Sequence, residues 1–228
     1  IGAPWFDDGS GEAGRVFVYY GSAMGVQGPP QVIEGGQVGA FFGYAVSTAG
    51  DVNGDGYGDV IIGAPYHGSA HAEEGAAWVY LGSAGGLDPV PHWVVYGEQS
   101  EARMGWSVSL AGDVDGDGYS EVLVGAPYYD HDHTDEGRAF LFHGSALGLV
   151  AVPGWVVEGG EEGARMGWSV SGAGDVNGDG YGDVILGAPF LGNGQSEEGM
   201  AFVYHGSAAG LSLSPAWTQE SDQMGAHM

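Results

Sequence analysis

The chain has no cysteine and no lysine, and only four of its 228 residues are basic: Arg15, Arg103, Arg138 and Arg165. Without cysteine there is no disulfide framework and no thiol chemistry. Four arginines against 30 acidic side chains give a formal charge of −26. That leaves no basic patch to neutralise phosphates, so nucleic acid is excluded as a partner, and an anionic membrane surface would repel the chain. No run of about twenty apolar residues occurs, which excludes direct membrane insertion by a helix. An initiator methionine, a signal peptide and an anchor motif are also lacking, and the sequence reads as a mature or excised segment. Glycine is plentiful at 47 residues, but it has no G-X-Y period, and 43% of the chain is hydrophobic and 12% aromatic. Collagen and plain disorder are ruled out.

What is present is a repeat. Gly-Ala-Pro returns at Gly2, Gly63, Gly125 and Gly187, separations of 61, 62 and 62 residues. Each period carries an apolar run before Gly-Ser (Val16 to Tyr20, Trp78 to Leu81, Phe140 to His143, Phe202 to His205). Another run begins at Trp93, Trp155 or Trp217, and a third is of the type Tyr44-Ala-Val-Ser, Trp106-Ser-Val-Ser or Trp168-Ser-Val-Ser. With Asp59-Val-Ile-Ile-Gly-Ala-Pro and its copies, the count is four strands per period. Runs such as Val16 to Tyr20 are apolar at consecutive positions, so both faces of each sheet must be covered. The expected fold is all-β: a β-propeller of four-stranded antiparallel blades, about 62 residues per repeat, with about four blades and therefore an incomplete ring. The chain is read as one domain, 1–228, with periods at approximately 1–61, 62–123, 124–185 and 186–228, the last truncated.

The chemistry lies in three copies of one acidic loop. The first runs through Asp51, Asn53, Asp55, Tyr57 and Asp59, the second through Asp113, Asp115, Asp117, Tyr119 and Glu121, and the third through Asp175, Asn177, Asp179, Tyr181 and Asp183. Oxygen side chains stand at positions 1, 3, 5 and 9, and the backbone carbonyl at position 7 (Tyr57, Tyr119, Tyr181) adds another donor. A hard cation such as Ca²⁺ takes six to eight oxygens, and this spacing wraps a chain around one. An all-oxygen donor set is a poor match for Zn²⁺ or Cu²⁺. Three such loops imply three Ca²⁺ per chain, because the carboxylates in each would otherwise repel with nothing to offset them. An EF-hand or a dockerin would place an acid at position 12, where Ile62, Val124 and Leu186 stand.

Phe42-Gly43, Met104-Gly105 and Met166-Gly167 precede the acidic loop, and Gly-Ala-Pro follows it. In this order the sequence resembles the FG-GAP repeat of integrin α-subunit propellers and their bacterial relatives, over nearly the whole chain. The resemblance implies that the acidic loop joins the first two strands of a blade and holds Ca²⁺ on one face of the propeller. Glu121 departs from the usual Asp of that loop. In register, Ile1 corresponds to Ile62 and Met228 to Met166, so the part equivalent to 43–61 is missing from the first blade. The expectation is a piece of a longer protein, or self-association in which two chains complete one ring.

The loops after Gly-Ala-Pro (Asp7 to Glu12, His67 to Glu74, Tyr129 to Glu136, Leu191 to Glu198) differ from copy to copy while the acidic loops barely change. Variable loops on a rigid scaffold are where binding is placed, and the resemblance points the same way, since in integrin-type propellers that face meets ligand proteins. The function expected is a calcium-stabilised, non-catalytic interaction or adhesion module. Its ligand would be a protein or a glycan on the variable-loop face. A lectin that uses the recurring Trp93, Trp155, Trp217, Trp106 and Trp168 is the first alternative, and a hydrolase-associated domain the second. No serine or cysteine nucleophile motif occurs, and no catalytic residue is assigned. The stretch Asp130-His131-Asp132-His133-Thr134-Asp135-Glu136 reads as a solvated loop, with a transition-metal site as the competing reading. His143 and His205 read as packing residues with a polar tip. Multi-acid sites without a rigid Glu clamp suit millimolar calcium, which places the protein outside the cell or at its surface.

Overall fold

The computed structural model describes residues 1–228 apart from 8, 10, 27, 193–196, 222, 224, 227 and 228. Parts of the Asp7 to Glu12 and Leu191 to Glu198 loops, and the register position of Met228, therefore lie outside the described residues. Every element among the described residues is a β-strand. The first sheet holds β1 (Gly2–Ala3), β2 (Arg15–Val18) and β5 (Gln31–Glu34), and between the last two lies a small hairpin of β3 (Gly21–Ser22) and β4 (Gly25–Val26). The second sheet is β6 (Ala45–Gly50), β7 (Asp59–Ala64), β8 (Ala76–Tyr80) and β9 (Trp93–Tyr96). The third is β10 (Ser107–Gly112), β11 (Glu121–Ala126), β12 (Arg138–Phe142) and β13 (Trp155–Glu158), and the fourth β14 (Ser169–Gly174), β15 (Asp183–Ala188), β16 (Met200–Tyr204) and β17 (Trp217–Glu220).

Each sheet is an antiparallel meander in chain order, as the short β-branched and aromatic runs between turn residues dictate. This is an incomplete β-propeller of three four-stranded blades and one three-stranded blade. The apolar run from Val16 leaves its strand at Val18, short of the expected Tyr20. The cause is the brevity of β1, whose pairing with β2 covers only Gly2 to Val16 and Ala3 to Arg15.

Three core clusters lie between successive sheets. Ile61, Val79 and Trp93 of the second sheet pack on Val122, Phe140 and Phe142 of the third. Leu123, Leu141 and Trp155 of the third pack on Val184, Leu186 and Tyr204 of the fourth. Consecutive apolar residues along β7 and β11 serve the two clusters on either side of their sheet, which explains their burial at nearly every position.

The recurring Phe/Met-Gly and Gly-Ala-Pro motifs meet where sheets touch. A Cβ on Gly63 would fall 2.0 Å from the carbonyl oxygen of Gly105 in the next sheet, and Gly125 and Gly167 repeat that contact at 2.0 Å. Gly105 and Gly167 have φ of 82° and 81°, which L-residues with a side chain rarely adopt. Parallel bridges Gly75 to Met104 and Gly137 to Met166 join the same places. The motif is thus the joint between blades.

Candidate functional site

In an antiparallel meander, loops joining strands one and two lie at the opposite end of the sheet from loops joining strands two and three. The three acidic loops, 51–59, 113–121 and 175–183, therefore share one end of the molecule, and the loops after Gly-Ala-Pro share the other. A register shift between Thr48 and Gly50, Leu110 and Gly112, or Gly172 and Gly174 marks a bulge just before each acidic loop.

Within each loop the first carboxylate ties the turn. Asp51 accepts from the amides of Asp55 (3.1 Å) and Gly56 (2.8 Å), Asp113 from Gly116 (2.6 Å) and Gly118 (3.0 Å), and Asp175 from Gly178, Asp179 and Gly180. Position 5 accepts from the position-7 amide: Asp55 from Tyr57, Asp117 from Tyr119, Asp179 from Tyr181. In the first and third loops the position-3 amide group donates to position 5, Asn53 to Asp55 at 3.0 Å and Asn177 to Asp179 at 2.8 Å. The Tyr181 amide and the Asn177 side chain together hold the Asp179 carboxyl below its ordinary range. The second loop has Asp115 where the others have Asn and so lacks that donor. There Asp113, Asp115 and Asp117 bring one oxygen each within 4.8 Å of one another.

Position 9 is placed differently. Asp59, Glu121 and Asp183 are buried, and each spans two backbone amides. Asp59 accepts from Val52 and Gly82, both at 2.8 Å, Glu121 from Val114 at 2.8 Å and Gly144 at 3.3 Å, and Asp183 from Val176 at 2.8 Å and Gly206 at 2.9 Å. These carboxylates clamp the loop to the start of the strand-three-to-four turn, and the longer Glu121 side chain does so with one longer bond. Burial pushes the carboxyls of Asp59 and Glu121 up.

Successive loops are also joined to one another. The Ser120 amide donates to the Asp51 carbonyl at 3.0 Å and the Gly182 amide to the Asp113 carbonyl at 2.7 Å. The Tyr119 ring lies over Gly54 and the Tyr181 ring over Gly116, where an added Cβ would meet ring carbon at 2.8 Å.

His143, which the sequence reading assigned to packing, enters the second loop's cluster. Its Nδ1 lies 3.2 Å from Asp115 and 3.7 Å from Glu121. Pairing with Glu121 outweighs burial and raises its pKa. Only the register of β12 against the loop brings these residues together, so no spacing along the chain signals it.

The opposite end carries all four arginines. Arg15 pairs with Glu34 and lies over the Phe6 ring, and Arg138 pairs with Glu158 and lies over Tyr129. Arg103 pairs with Glu73 at 3.3 Å and lies between the rings of Tyr66 and Tyr128. Arg165 faces Tyr128, Trp168 and Phe190. Trp106 and Trp168 meet at 4.8 Å with their rings tilted by 47°, and Trp93 and Trp155 pack edge-on against Phe142 and Tyr204 of the next sheet. These four rings are engaged in packing within and between blades, while Trp217, on the last sheet, is 48% exposed.

A second repeated carboxylate escaped the sequence reading. Glu74, Glu136 and Glu198 are buried, each just before the glycine that leads into a third strand. Glu74 accepts from the amides of Ser69 and Ala70, and Glu136 from that of Asp132. The 62-residue spacing of Glu-Gly was the available signal. In the 130–136 stretch, residues 130–134 are exposed. His131 approaches Asp132 and Glu158, and Glu158 is already paired with Arg138.

A model of the FG-GAP repeat matches residues 42–80, 104–142 and 166–204. Among curated proteins the chain is 35% identical to integrin alpha-3 of Cricetulus griseus over 77% of its own length and 17% of that protein. It is 35% identical to integrin alpha-7 of Homo sapiens (70% and 13%) and 36% identical to integrin alpha-PS2 of Drosophila melanogaster (68% and 12%). The chain thus spans less than a fifth of the length of these relatives. No helix among the described residues is long and apolar enough to cross a membrane.

Proposed function

The chain belongs to the FG-GAP repeat family, and from that premise we propose that it is a calcium-stabilised, non-catalytic interaction module in which residues 1–228 form one propeller segment with periods at 1–61, 62–123, 124–185 and 186–228. One Ca²⁺ is held in each acidic loop, three per chain. Asp51, Asn53, Asp55 and Asp59, with the Tyr57 carbonyl, serve the first ion. Asp113, Asp115, Asp117 and Glu121, with the Tyr119 carbonyl, serve the second, and Asp175, Asn177, Asp179 and Asp183, with the Tyr181 carbonyl, the third. The donor set is oxygen throughout, which fits a hard cation. Carboxylate oxygens that accept one amide keep a lone pair for the ion. When bound, Ca²⁺ supplies the positive charge that cross-links the turn.

The observation that carries this reading is the segregation of charge. The acidic loops gather at an end that holds no arginine, whereas every arginine is paired or stacked at the other. Apart from His143 beside the second loop, the positive charge the loops require comes from solution.

On the likeness to integrin α-subunits, the variable-loop end is the ligand face, the ligand is a protein, and the module works outside the cell or at its surface. Titration calorimetry on chelator-treated chain is expected to count three Ca²⁺ per chain, and Asp55→Ala, Asp117→Ala and Asp179→Ala each to remove one. A count below two overturns the ligand assignment. Retention on a glycan array, with no binding to extracellular proteins, overturns the protein-ligand part and leaves the calcium count untouched.

A further inference from the structure

The second acidic loop differs from the other two at its third and ninth positions. Position 3 is Asp115, where the first and third loops have Asn53 and Asn177, and position 9 is Glu121, where they have Asp59 and Asp183. The residue just after the third strand of the sheet is His143 here, Leu81 one period earlier and His205 one period later. Only the second period combines a carboxylate at position 3, the longer Glu at position 9 and an imidazole at the strand end.

The fold brings these three residues into one cluster. Oxygens of Asp115 and Glu121 and a ring nitrogen of His143 all lie within 4.8 Å of one another. His143 Nδ1 is 3.2 Å from Asp115 Oδ2 and 3.7 Å from Glu121 Oε1. Donor atoms about 2.0–2.1 Å from a tetrahedral ion stand about 3.4 Å apart, so this is the spacing of ligands around a small cation. The cluster is sheltered, with Glu121 fully buried and the side chains of Asp115 and His143 only 22% and 26% exposed.

Two further observations point to a ligand. His143 Nδ1 is itself buried and has no hydrogen-bond partner among the described residues, although two carboxylate oxygens lie beside it. The ring is also given its place by Gly154. A Cβ there would fall 2.1 Å from His143 Cδ2 and 2.3 Å from Nε2, so the imidazole fills the volume a side chain would need. Gly154 is not among the glycines of positive φ, and His92 and Ala216 stand at its position in the neighbouring periods. Its missing side chain serves the ring and not the turn.

We propose that Asp115, Glu121 and His143 form a site for one borderline divalent transition ion, of which Zn²⁺ is the type, with water completing the coordination. The site deepens the calcium reading and rests on it in one respect, that Asp115 and Glu121 are also ligands of the second Ca²⁺. A hard cation gains little from imidazole, whereas Zn²⁺ takes nitrogen and carboxylate oxygen together. Because two ligands are shared, the two ions exclude each other in the second loop, while the all-oxygen first loop keeps its calcium.

The test titrates Zn²⁺, with Co²⁺ as the spectroscopic probe, into the chelator-treated intact chain without calcium. The expected result is one tight site per chain, with visible cobalt absorption, weakened about tenfold or more by His143→Leu. That variant keeps all 30 acidic side chains, and Leu81 fills the same position one period earlier, so neither bulk charge nor misfolding would explain the loss. His131→Ala, in the exposed cluster of His131, Asp132 and Glu158, should leave the affinity unchanged. In a second titration, one equivalent of Zn²⁺ should lower the calcium count of the parent by one. The proposal is overturned by unchanged Zn²⁺ affinity in His143→Leu, by a loss confined to His131→Ala, or by three Ca²⁺ persisting beside bound Zn²⁺. A calcium count below two without zinc would overturn the calcium reading and leave the zinc titration standing.

Discussion

The two ends of the blades handle charge in opposite ways. At the variable-loop end each arginine lies over at least one aromatic ring, and Arg15, Arg103 and Arg138 also meet a carboxylate. At the acidic-loop end the carboxylates bond to backbone amides, in the first and third loops also to an asparagine, and in the second they face His143. Amides orient carboxylates but bring no net charge. The first end is electrostatically closed by the chain itself, while at the second only His143, beside the second loop, faces the carboxylates with a cationic group at ion-pair distance among the described residues. On the function proposed above, the remaining charge is met by a cation from the medium.

The largest expected effect breaks this comparison directly. A cation held at 100 times its dissociation constant stabilises the native state by about 2.7 kcal/mol per site, so three sites outweigh any single substitution. Thermal unfolding in calcium and in excess chelator should therefore differ by more than any variant differs from the parent. Amide exchange should quicken at 51–59, 113–121 and 175–183 and stay unchanged around Arg103. Equal melting in both media would mean that the acidic end is as self-sufficient as the other.

A smaller effect sharpens it at the level of buried carboxylates, because each end has its own clamp. Glu121→Ala removes the acceptor for the Val114 and Gly144 amides, at about 1–3 kcal/mol per orphaned buried donor, or roughly 2–6 kcal/mol in all. Glu136→Ala at the other end should cost about half as much. Its Oε1 accepts from the amides of Asp132 and, at 3.5 Å, His133, exposed residues whose amides water can reach, and its buried Oε2 has no hydrogen-bond partner among the described residues, so removing it relieves a desolvated oxygen. Urea unfolding of both variants at saturating calcium measures the ranking, and reversal would show that the Val114 and Gly144 amides find other acceptors once Glu121 is gone.

Much of this architecture was legible in advance because it is periodic. Four apolar runs per period and the recurring Gly-Ala-Pro gave the blades, the Asp-x-Asn/Asp-x-Asp spacing gave the loop, and the FG-GAP resemblance implied its location between strands one and two. What was not legible depends on register across strands. His143 reaches Asp115 because β12 ends beside the second loop, and Arg103 reaches both Tyr66 and Tyr128 because neighbouring blades converge there. Glu74 and Glu136 repeat faithfully, yet a carboxylate inside a polar loop looks solvated until its amide donors fold back on it. Repeat positions also differ in ways that only coordinates reveal: Val46 and Tyr57 are exposed, while Val108 is buried and Tyr119 half-buried at the same positions one period on.

The smallest effect concerns titration at the arginine end. His67 occupies the position that Tyr129 fills in the next period, and its ring packs against Trp78 at 5.2 Å and Tyr96 at 5.7 Å. Burial lowers its pKa, and the nearby Glu74 opposes that shift only in part. Because the folded-state pKa lies below the unfolded one, the neutral ring's contribution is present above about pH 6.5 and is lost as pH falls through the folded value. Stability at saturating calcium should thus decline on acidification from pH 6.5 towards 5, and His67→Tyr should flatten that segment of the curve while leaving the calcium count unchanged. Tyrosine at this position in the next period already accommodates an arginine over its ring, so the replacement suits the surroundings. If the slope survived in the variant, the pH response would have to originate in other groups, such as His143 beside the second acidic loop or Asp135 at the arginine end, whose carboxyl burial pushes up.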